Sequence, residues 1–243
     1  MNLQGKTALV TGGGSGIGLG IALALARNGC RVVICGRNEE KLARAAAAHT
    51  GQPPILTRAC DVADRDTVNR LVAWMESEIA PPDIVAHAAG INVVRRKMAE
   101  LDPADFDRVL AVNTTGLFNV LHAVLPTMRE RRQGLIFNIS SVAGKRALPL
   151  AGPAYAASKF AATALGTAVG LEERANGIRI TNIYPGEVDT PLLDQRPVPV
   201  PAEKKAVMVH PEDIAQCVLA IAALPEHVVV PELVITPTYQ EWL

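Results

Sequence analysis

Short runs of β-branched and other aliphatic residues alternate with longer Ala- and Leu-rich stretches along most of the chain. The runs KTALVT (6–11), RVVIC (31–35), PILTRAC (54–60), DIVAHA (83–88), LIFNIS (135–140), IRITNIY (178–184) and ELVIT (232–236) predict strands. Helices are predicted between them near 16–28, 39–49, 64–78, 103–131, 153–176 and 211–224. Regular alternation of this kind predicts an α/β fold, a doubly wound and mainly parallel seven-stranded sheet with helices on both faces. The strands are nearly continuous in hydrophobicity, as central parallel strands are when both faces are covered. The segment 190–211 breaks the pattern, since Pro191, Pro197, Pro199, Pro201 and Pro211 exclude a regular helix or central strand there. An irregular excursion of that length is expected to form a lid over a site.

A chain of 243 residues fits one α/β domain spanning 1–243, and 49% hydrophobic content with only 4% aromatics makes its core aliphatic. Acidic and basic residues balance at 24 each, which argues against nucleic acid or an anionic membrane as partner. Cys30, Cys35, Cys60 and Cys217 form no CxxC pair and read as core thiols in a reducing compartment. The opening MNLQGKTALVTGG lacks the charge and apolar run of a secretory signal. No uninterrupted apolar run approaches the roughly 18 residues that span a bilayer. A cytoplasmic location is expected. No His/Cys/Asp cluster has metal-ligand spacing, so no metal is expected.

Two short motifs carry chemistry. Gly12, Gly13, Gly14, Gly16 and Gly18 fall between the first predicted strand and the first predicted helix. Glycine there lets a ligand approach the main chain, and the helix N-terminus offers unpaired N–H groups to a pyrophosphate. In YAASK, Tyr155 and Lys159 are four residues apart, so a helix would place both on one face. That pair alone arises readily by chance, and its weight depends on its context.

The context is a set of ordered motifs. TGGGSGIG (11–18) resembles the TGxxxGxG loop of the short-chain dehydrogenase/reductase family, and YAASK resembles that family's YxxxK. HAAG (87–90) is similar to its NAAG element, Asn113 in AVNTTG to its helix asparagine, and NISSVAG (138–144) to its serine segment. NIYPGEVDTP (182–191) resembles the NxxPGxxxTP stretch after the sixth strand, and the resemblance runs from about residue 5 to 236. It implies a Rossmann-like fold and nicotinamide-dependent interconversion of a carbonyl compound and a secondary alcohol. It also implies a catalytic set of Asn113, Ser141, Tyr155 and Lys159 and assembly as a homodimer or homotetramer. The implied cofactor contacts come from Gly12, Gly14, Ser15, Gly16, Ile17 and Gly18, from Ala88, Ala89 and Gly90, and from Pro185, Gly186, Val188 and Thr190. Asp61 and Val62 are implied beside the adenine, and Asn113, Tyr155 and Lys159 at the nicotinamide end. Two features depart from the family pattern. His87 replaces the usual Asn and is read as a satisfied, partly buried imidazole. The ending ELVITPTYQEWL lacks the VDGG of members that reduce 3-oxoacyl thioesters.

Reduction of a carbonyl requires a proton at its oxygen, and a free Tyr with a pKa of about 10 is poorly poised to exchange one at neutral pH. A nearby ammonium is expected to lower that pKa, and the resemblance adds that Lys159 holds the nicotinamide ribose. Ser141 would polarise the carbonyl beside Tyr155, with Ser140 as the competing candidate. By resemblance, Asn113 supports a water linking Lys159 to solvent. Arg95, Arg96, Lys145, Arg146, Glu187 and Val188 are candidate substrate contacts, and several basic groups converging on the cleft would suit an acidic or phosphorylated carbonyl compound. Gly36 occupies the end of the second strand, where NAD-binding sheets carry an acid, and Arg37 follows it. NADP(H) is therefore the expected cofactor, with NAD(H) possible. The alternatives are an NAD-dependent alcohol dehydrogenase of the same family and a dinucleotide-binding regulator without turnover.

Overall fold

In the computed structural model, which describes residues 3–241, seven strands form one parallel sheet. They are β1 (Thr7–Thr11), β2 (Arg31–Gly36), β3 (Leu56–Ala59), β4 (Ile84–His87), β5 (Gly134–Ile139), β6 (Ile178–Pro185) and β7 (Glu232–Ile235). Their spatial order is β3-β2-β1-β4-β5-β6-β7. The chain thus reverses its direction of winding between β1 and β4, and a crevice opens there at the carboxyl ends of the strands.

The period of two along each strand sends neighbouring side chains into two separate cores. Ala8, Val10, Ile34, Ala86 and Phe137 face one side, where helices α1 (Gly16–Arg27) and α8 (Pro211–Ala222) cover them. Leu9, Val33, Val85, Ile136 and Ile180 face the other, under α3 (Arg65–Glu78), α5 (Gly116–Arg131) and α6 (Pro153–Glu173). Each large aliphatic side chain so removed from water contributes roughly 1.5–3 kcal/mol, which sets the sheet as the rigid base of the site. β1, β4, β5 and β6 are buried throughout, whereas β3 at the edge is exposed at all its positions.

Helix starts follow local chemistry. Asn38 caps α2 (Glu39–Ala47), Asp64 caps α3 and Asp102 caps α4 (Pro103–Leu110), each side chain accepting from backbone N–H groups of the first turn. Such caps contribute about 1 kcal/mol apiece. The predicted helix 103–131 is continuous but not uniform, because Ala111–Thr115 widens into a π-turn between α4 and α5. This stretch is also long and apolar enough to cross a bilayer, yet more than half of its most apolar window is buried within the protein.

The proline-rich segment is more regular than its sequence predicts. Pro191–Gln195 forms a 3₁₀ turn and Ala202–Lys205 a single helical turn, α7. The correction has a simple cause: Pro201 stands at the N-cap, where no N–H is needed, and no proline follows within the turn. Val188 and Val209 pair in an isolated parallel bridge, closing the excursion at its base.

Candidate active site

Two adjoining cavities lie at the carboxyl ends of the strands. The larger, about 790 Å³, runs over the glycine loop toward β2 and β3. Gly12, Gly14, Ser15, Gly16, Ile17 and Gly18 form its floor. Gly12 has φ +66, and a Cβ there would meet the Ala89 nitrogen at 2.8 Å, so only glycine lets the loop lie against the end of β4. A Cβ on Gly18 would stand 2.5 Å from the Gly12 carbonyl oxygen, so glycine also sets how closely α1 enters the loop. Unlike α2, α3 and α4, α1 has no side-chain cap and no acid in its first turn. Its free N–H groups and positive dipole end are thus open to an anion. The glycine cradle, the open helix end and the size of the cleft fit a dinucleotide.

Ala88, Ala89, Gly90, Asp61, Val62 and Thr190 also line this cleft. Val62 is fixed from behind, its carbonyl accepting from Asn119 Nδ2 at 2.9 Å. At the far end stand Gly36 and Arg37, with Asn38 and Lys41 beside them, whereas Glu39 and Glu40 do not line the cleft. Lys41 and Arg108 are cations that the sequence pattern does not single out. Lys41 lies on α2 with its side chain over Gly14, a proximity set by the packing of α2 rather than by any motif.

The smaller cavity, about 360 Å³, adjoins the first through Ile17, Asn92, Thr190 and Leu192. Ser141, Tyr155, Pro185, Gly186, Val188 and Glu187 line it. Ser141 stands at the start of a 3₁₀ turn, its Oγ accepting from the Ala143 N–H at 3.1 Å. Ser140 also borders the cavity, but its hydroxyl lies 2.9 Å from Thr163 Oγ1 and donates to the Lys159 carbonyl, so it is tied into α6.

Tyr155 and Lys159 sit one turn apart on α6, with Lys159 Nζ 5.7 Å from the centre of the Tyr155 ring. Lys159 is buried and donates to the Ile139 carbonyl at 2.8 Å. Burial pushes its pKa down to about 8. Burial pushes Tyr155 up to about 12, against smaller downward pulls from the Ser141 hydroxyl and the Arg96 charge. The expectation of a Tyr155 hydroxyl lowered by Lys159 is therefore corrected. Desolvation of the phenolate dominates, and the Lys159 ammonium is engaged with the Ile139 carbonyl.

Asn113 occupies the π-turn, a placement periodicity does not reveal. Its amide accepts from the Ile91 N–H at 2.8 Å, donates to the Ile91 carbonyl at 3.0 Å and donates to Ser158 Oγ at 2.9 Å. It thereby braces the loop after β4 against α6. Asn113 Oδ1 and Lys159 Nζ converge on Gly90, where a Cβ would lie 3.5 and 3.4 Å from them. His87 is fully rather than partly buried, and only half satisfied. Its Nδ1 lies 3.1 Å from Thr11 Oγ1, which also accepts from the Ala89 N–H, while Nε2 has no partner among the described residues. Burial, aided by the Lys159 charge, drives its pKa to about 3, so the ring is neutral.

The candidate substrate contacts divide. Arg96, Glu187 and Val188 reach the smaller cavity, joined by Arg196, which the sequence does not single out. Arg95 and Arg146 are exposed and line neither cavity, and Lys145 pairs with Glu232 at 2.6 Å. Burial works against ionisation of Glu187, but Tyr239, Lys204 and Arg196 together hold its carboxyl below the usual range.

Comparison with known proteins gives a consistent result. The family model for short chain dehydrogenase matches residues 6–198. A glycine betaine reductase of Emericella nidulans is 35% identical over 97% of this chain, although the chain spans only 19% of that relative's length. An uncharacterized oxidoreductase of Staphylococcus aureus is 33% identical, with 97% of this chain and 98% of the relative covered. Among solved structures, an alcohol dehydrogenase from Thermococcus sibiricus complexed with 5-hydroxy-NADP superposes with a TM-score of 0.88 at 28% identity, covering 99% and 100% of the two chains. An actinorhodin polyketide ketoreductase with NADPH gives 0.85 at 31% identity over 95% of each chain. With the glycine cradle, the crevice between β1 and β4 and the Ser141–Tyr155–Lys159 cluster at its mouth, these matches make the chain a member of the short-chain dehydrogenase family, an oxidoreductase of alcohol and carbonyl groups.

Proposed function

We propose that the protein is an NADP(H)-dependent carbonyl reductase in which Tyr155 delivers the proton. The observation that carries this reading is geometric: the Tyr155 and Ser141 side chains line the smaller cavity where it adjoins the dinucleotide-sized cleft, with Lys159 one turn away from Tyr155 on α6. When bound, the nicotinamide supplies the hydride. Ser141 donates to the substrate oxygen and polarises it, and Tyr155 gives that oxygen its proton as negative charge builds there. Lys159 keeps a positive charge behind the tyrosine and stabilises the phenolate left after transfer. Asn113 acts as a positioning residue, since its bonds to Ile91 and Ser158 hold both walls of the pocket in register.

The glycine loop and the α1 N-terminus would hold the pyrophosphate, and Asp61 and Val62 the adenine. Arg37 and Lys41 would hold a 2′-phosphate where Gly36 leaves no carboxylate to repel it. NADP compounds bound to the alcohol dehydrogenase, the ketoreductase and a serine dehydrogenase of the same fold agree with that choice. The test is a panel of aldehydes and ketones with each reduced cofactor. NADPH should be preferred by about tenfold or more in kcat/KM, equivalent to roughly 1.4 kcal/mol. Equal or better efficiency with NADH overturns the cofactor assignment, and no turnover of any carbonyl overturns the enzymatic one.

A further inference from the structure

The smaller cavity has a second polar pole besides Ser141 and Tyr155. Arg96 lines it while only 7% exposed. Three of its N–H groups are held by backbone carbonyls: Nε by Val93 at 2.9 Å, Nη1 by Leu150 at 3.1 Å and Nη2 by Gln195. The group is thus fixed in place from both sides of the cavity mouth. A guanidinium has five N–H donors, so one on each terminal nitrogen is left uncommitted. Among the described residues no acidic side chain forms an ion pair with Arg96, and the charged group it feels most is another cation, Arg196.

Glu187 is the acid in the same wall, but it is already matched. Its Oε1 meets Arg196 at 2.8 Å, its Oε2 meets Lys204 at 3.0 Å and Tyr239 donates to Oε2 at 2.6 Å. Glu187 also bonds through its backbone N–H to Gln240 Oε1, which leaves its carboxylate to those three partners. Arg96 therefore remains as a desolvated positive charge without a counter-ion, next to the reacting hydroxyls. Burial of that kind is unfavourable until an anion arrives. The charged side chains that line the cavity are Arg96, Arg196 and Glu187, and their surplus of one positive charge suits a monoanion, while the paired donors of a guanidinium suit a carboxylate.

We propose that the substrate is a carbonyl acid, or the corresponding hydroxy acid. Its carboxylate would lie on Arg96 and its carbonyl or hydroxyl oxygen between Ser141 and Tyr155. The proposal rests on the reductase reading above and narrows it to one substrate class.

Two measurements test it, and one needs no turnover. Isothermal titration of the enzyme saturated with NADP⁺ compares 2-, 3- and 4-oxo carboxylates with their methyl esters, and steady-state reduction with NADPH compares the same pairs. In at least one pair the acid should bind about tenfold more tightly and be reduced with about tenfold higher kcat/KM than the ester. Arg96→Gln should bring that ratio close to one. Arg96 also ties the cavity mouth together, so the ratio within each variant is the readout, not its absolute rate. Arg196→Gln, which removes one of the two cations on Glu187 and one of the two that line the cavity, should lower the ratio independently, should Arg96→Gln fold poorly. Equal binding of acid and ester in every pair overturns the proposal even if both are reduced, and leaves the reductase reading intact. An acid preference that survives Arg96→Gln overturns it too. If no carbonyl is turned over, the reductase reading fails, and the titration ratio still decides whether Arg96 is an anion site.

Discussion

Tyr155 and Lys159 have pKa values displaced in opposite directions by one cause, loss of water around the charged form. At neutral pH this leaves a protonated phenol beside a protonated amine, the state needed to give a proton to a carbonyl. As pH rises through about 8, Lys159 loses its proton and with it the charge that stabilises the departing phenolate. Carbonyl reduction should therefore be flat below that pH and fall above it. Alcohol oxidation, which needs the phenolate, should rise with pH instead. Lys159→Met should weaken dinucleotide binding, lower the rate and remove the inflection near 8. A reductive profile that stays flat to pH 10 contradicts the role given to this amine. Ser141→Ala should lower kcat by about a hundredfold, the usual effect of removing one donor from a developing oxyanion, with dinucleotide affinity changed less than threefold. An equal loss from Ser140→Ala would shift the polarising role to that residue.

At the scale of elements, the glycine loop and the proline-rich segment divide the work of building the crevice. The loop is rigid because its backbone touches the end of β4 directly. Gly12→Ala would force a Cβ to 2.8 Å from the Ala89 nitrogen at a φ of +66, adding steric overlap to roughly 1 kcal/mol or more of backbone strain. Its dinucleotide affinity should fall at least tenfold while the circular dichroism of the sheet is kept. The segment from Pro191 to Met208 is held differently, by side chains: Arg196 and Lys204 on Glu187, and Arg96 on the Gln195 carbonyl. It walls both cavities, with Leu192 lining each. Lys204 is 43% exposed, and an ion pair so open to water contributes little to stability, so this wall is expected to open more readily than the sheet. Limited proteolysis should cut first within 190–211, and NADP⁺ should slow the cut. Initial cleavage elsewhere, or no protection by the dinucleotide, speaks against a lid.

For the whole molecule, the doubly wound sheet was legible because each layer repeats one signal, an aliphatic strand followed by an amphipathic helix. The glycine loop was legible from its own residues between a strand and a helix, whereas Ser141 and the Tyr155–Lys159 pair were legible only through the ordered family motifs in which they stand. The π-turn that carries Asn113 was not, since one residue of widening leaves the apolar periodicity nearly unchanged. Arg196 and Lys41 escaped for another reason: their closeness to the cavities comes from packing between segments far apart in sequence, while each alone reads as surface charge; Arg96 was named among the candidate contacts, but nothing local to it separates it from Arg95. Two predictions belong to this scale. Arg37→Ala should erase the preference for NADPH by weakening NADPH alone, leaving NADH kinetics unchanged. The exposed Phe160 and Leu171 on α6 and Val234 on β7 are expected to be covered in a homodimer or homotetramer, so light scattering should give at least twice the 25.8 kDa chain mass. The most direct test of the account is carbonyl-dependent oxidation of NADPH by the wild type beside Tyr155→Phe, a change that removes one hydroxyl and almost no volume. The wild type should turn over and the variant should lose about a hundredfold or more, with NADPH affinity held within a fewfold. Turnover in Tyr155→Phe close to that of the wild type would contradict it.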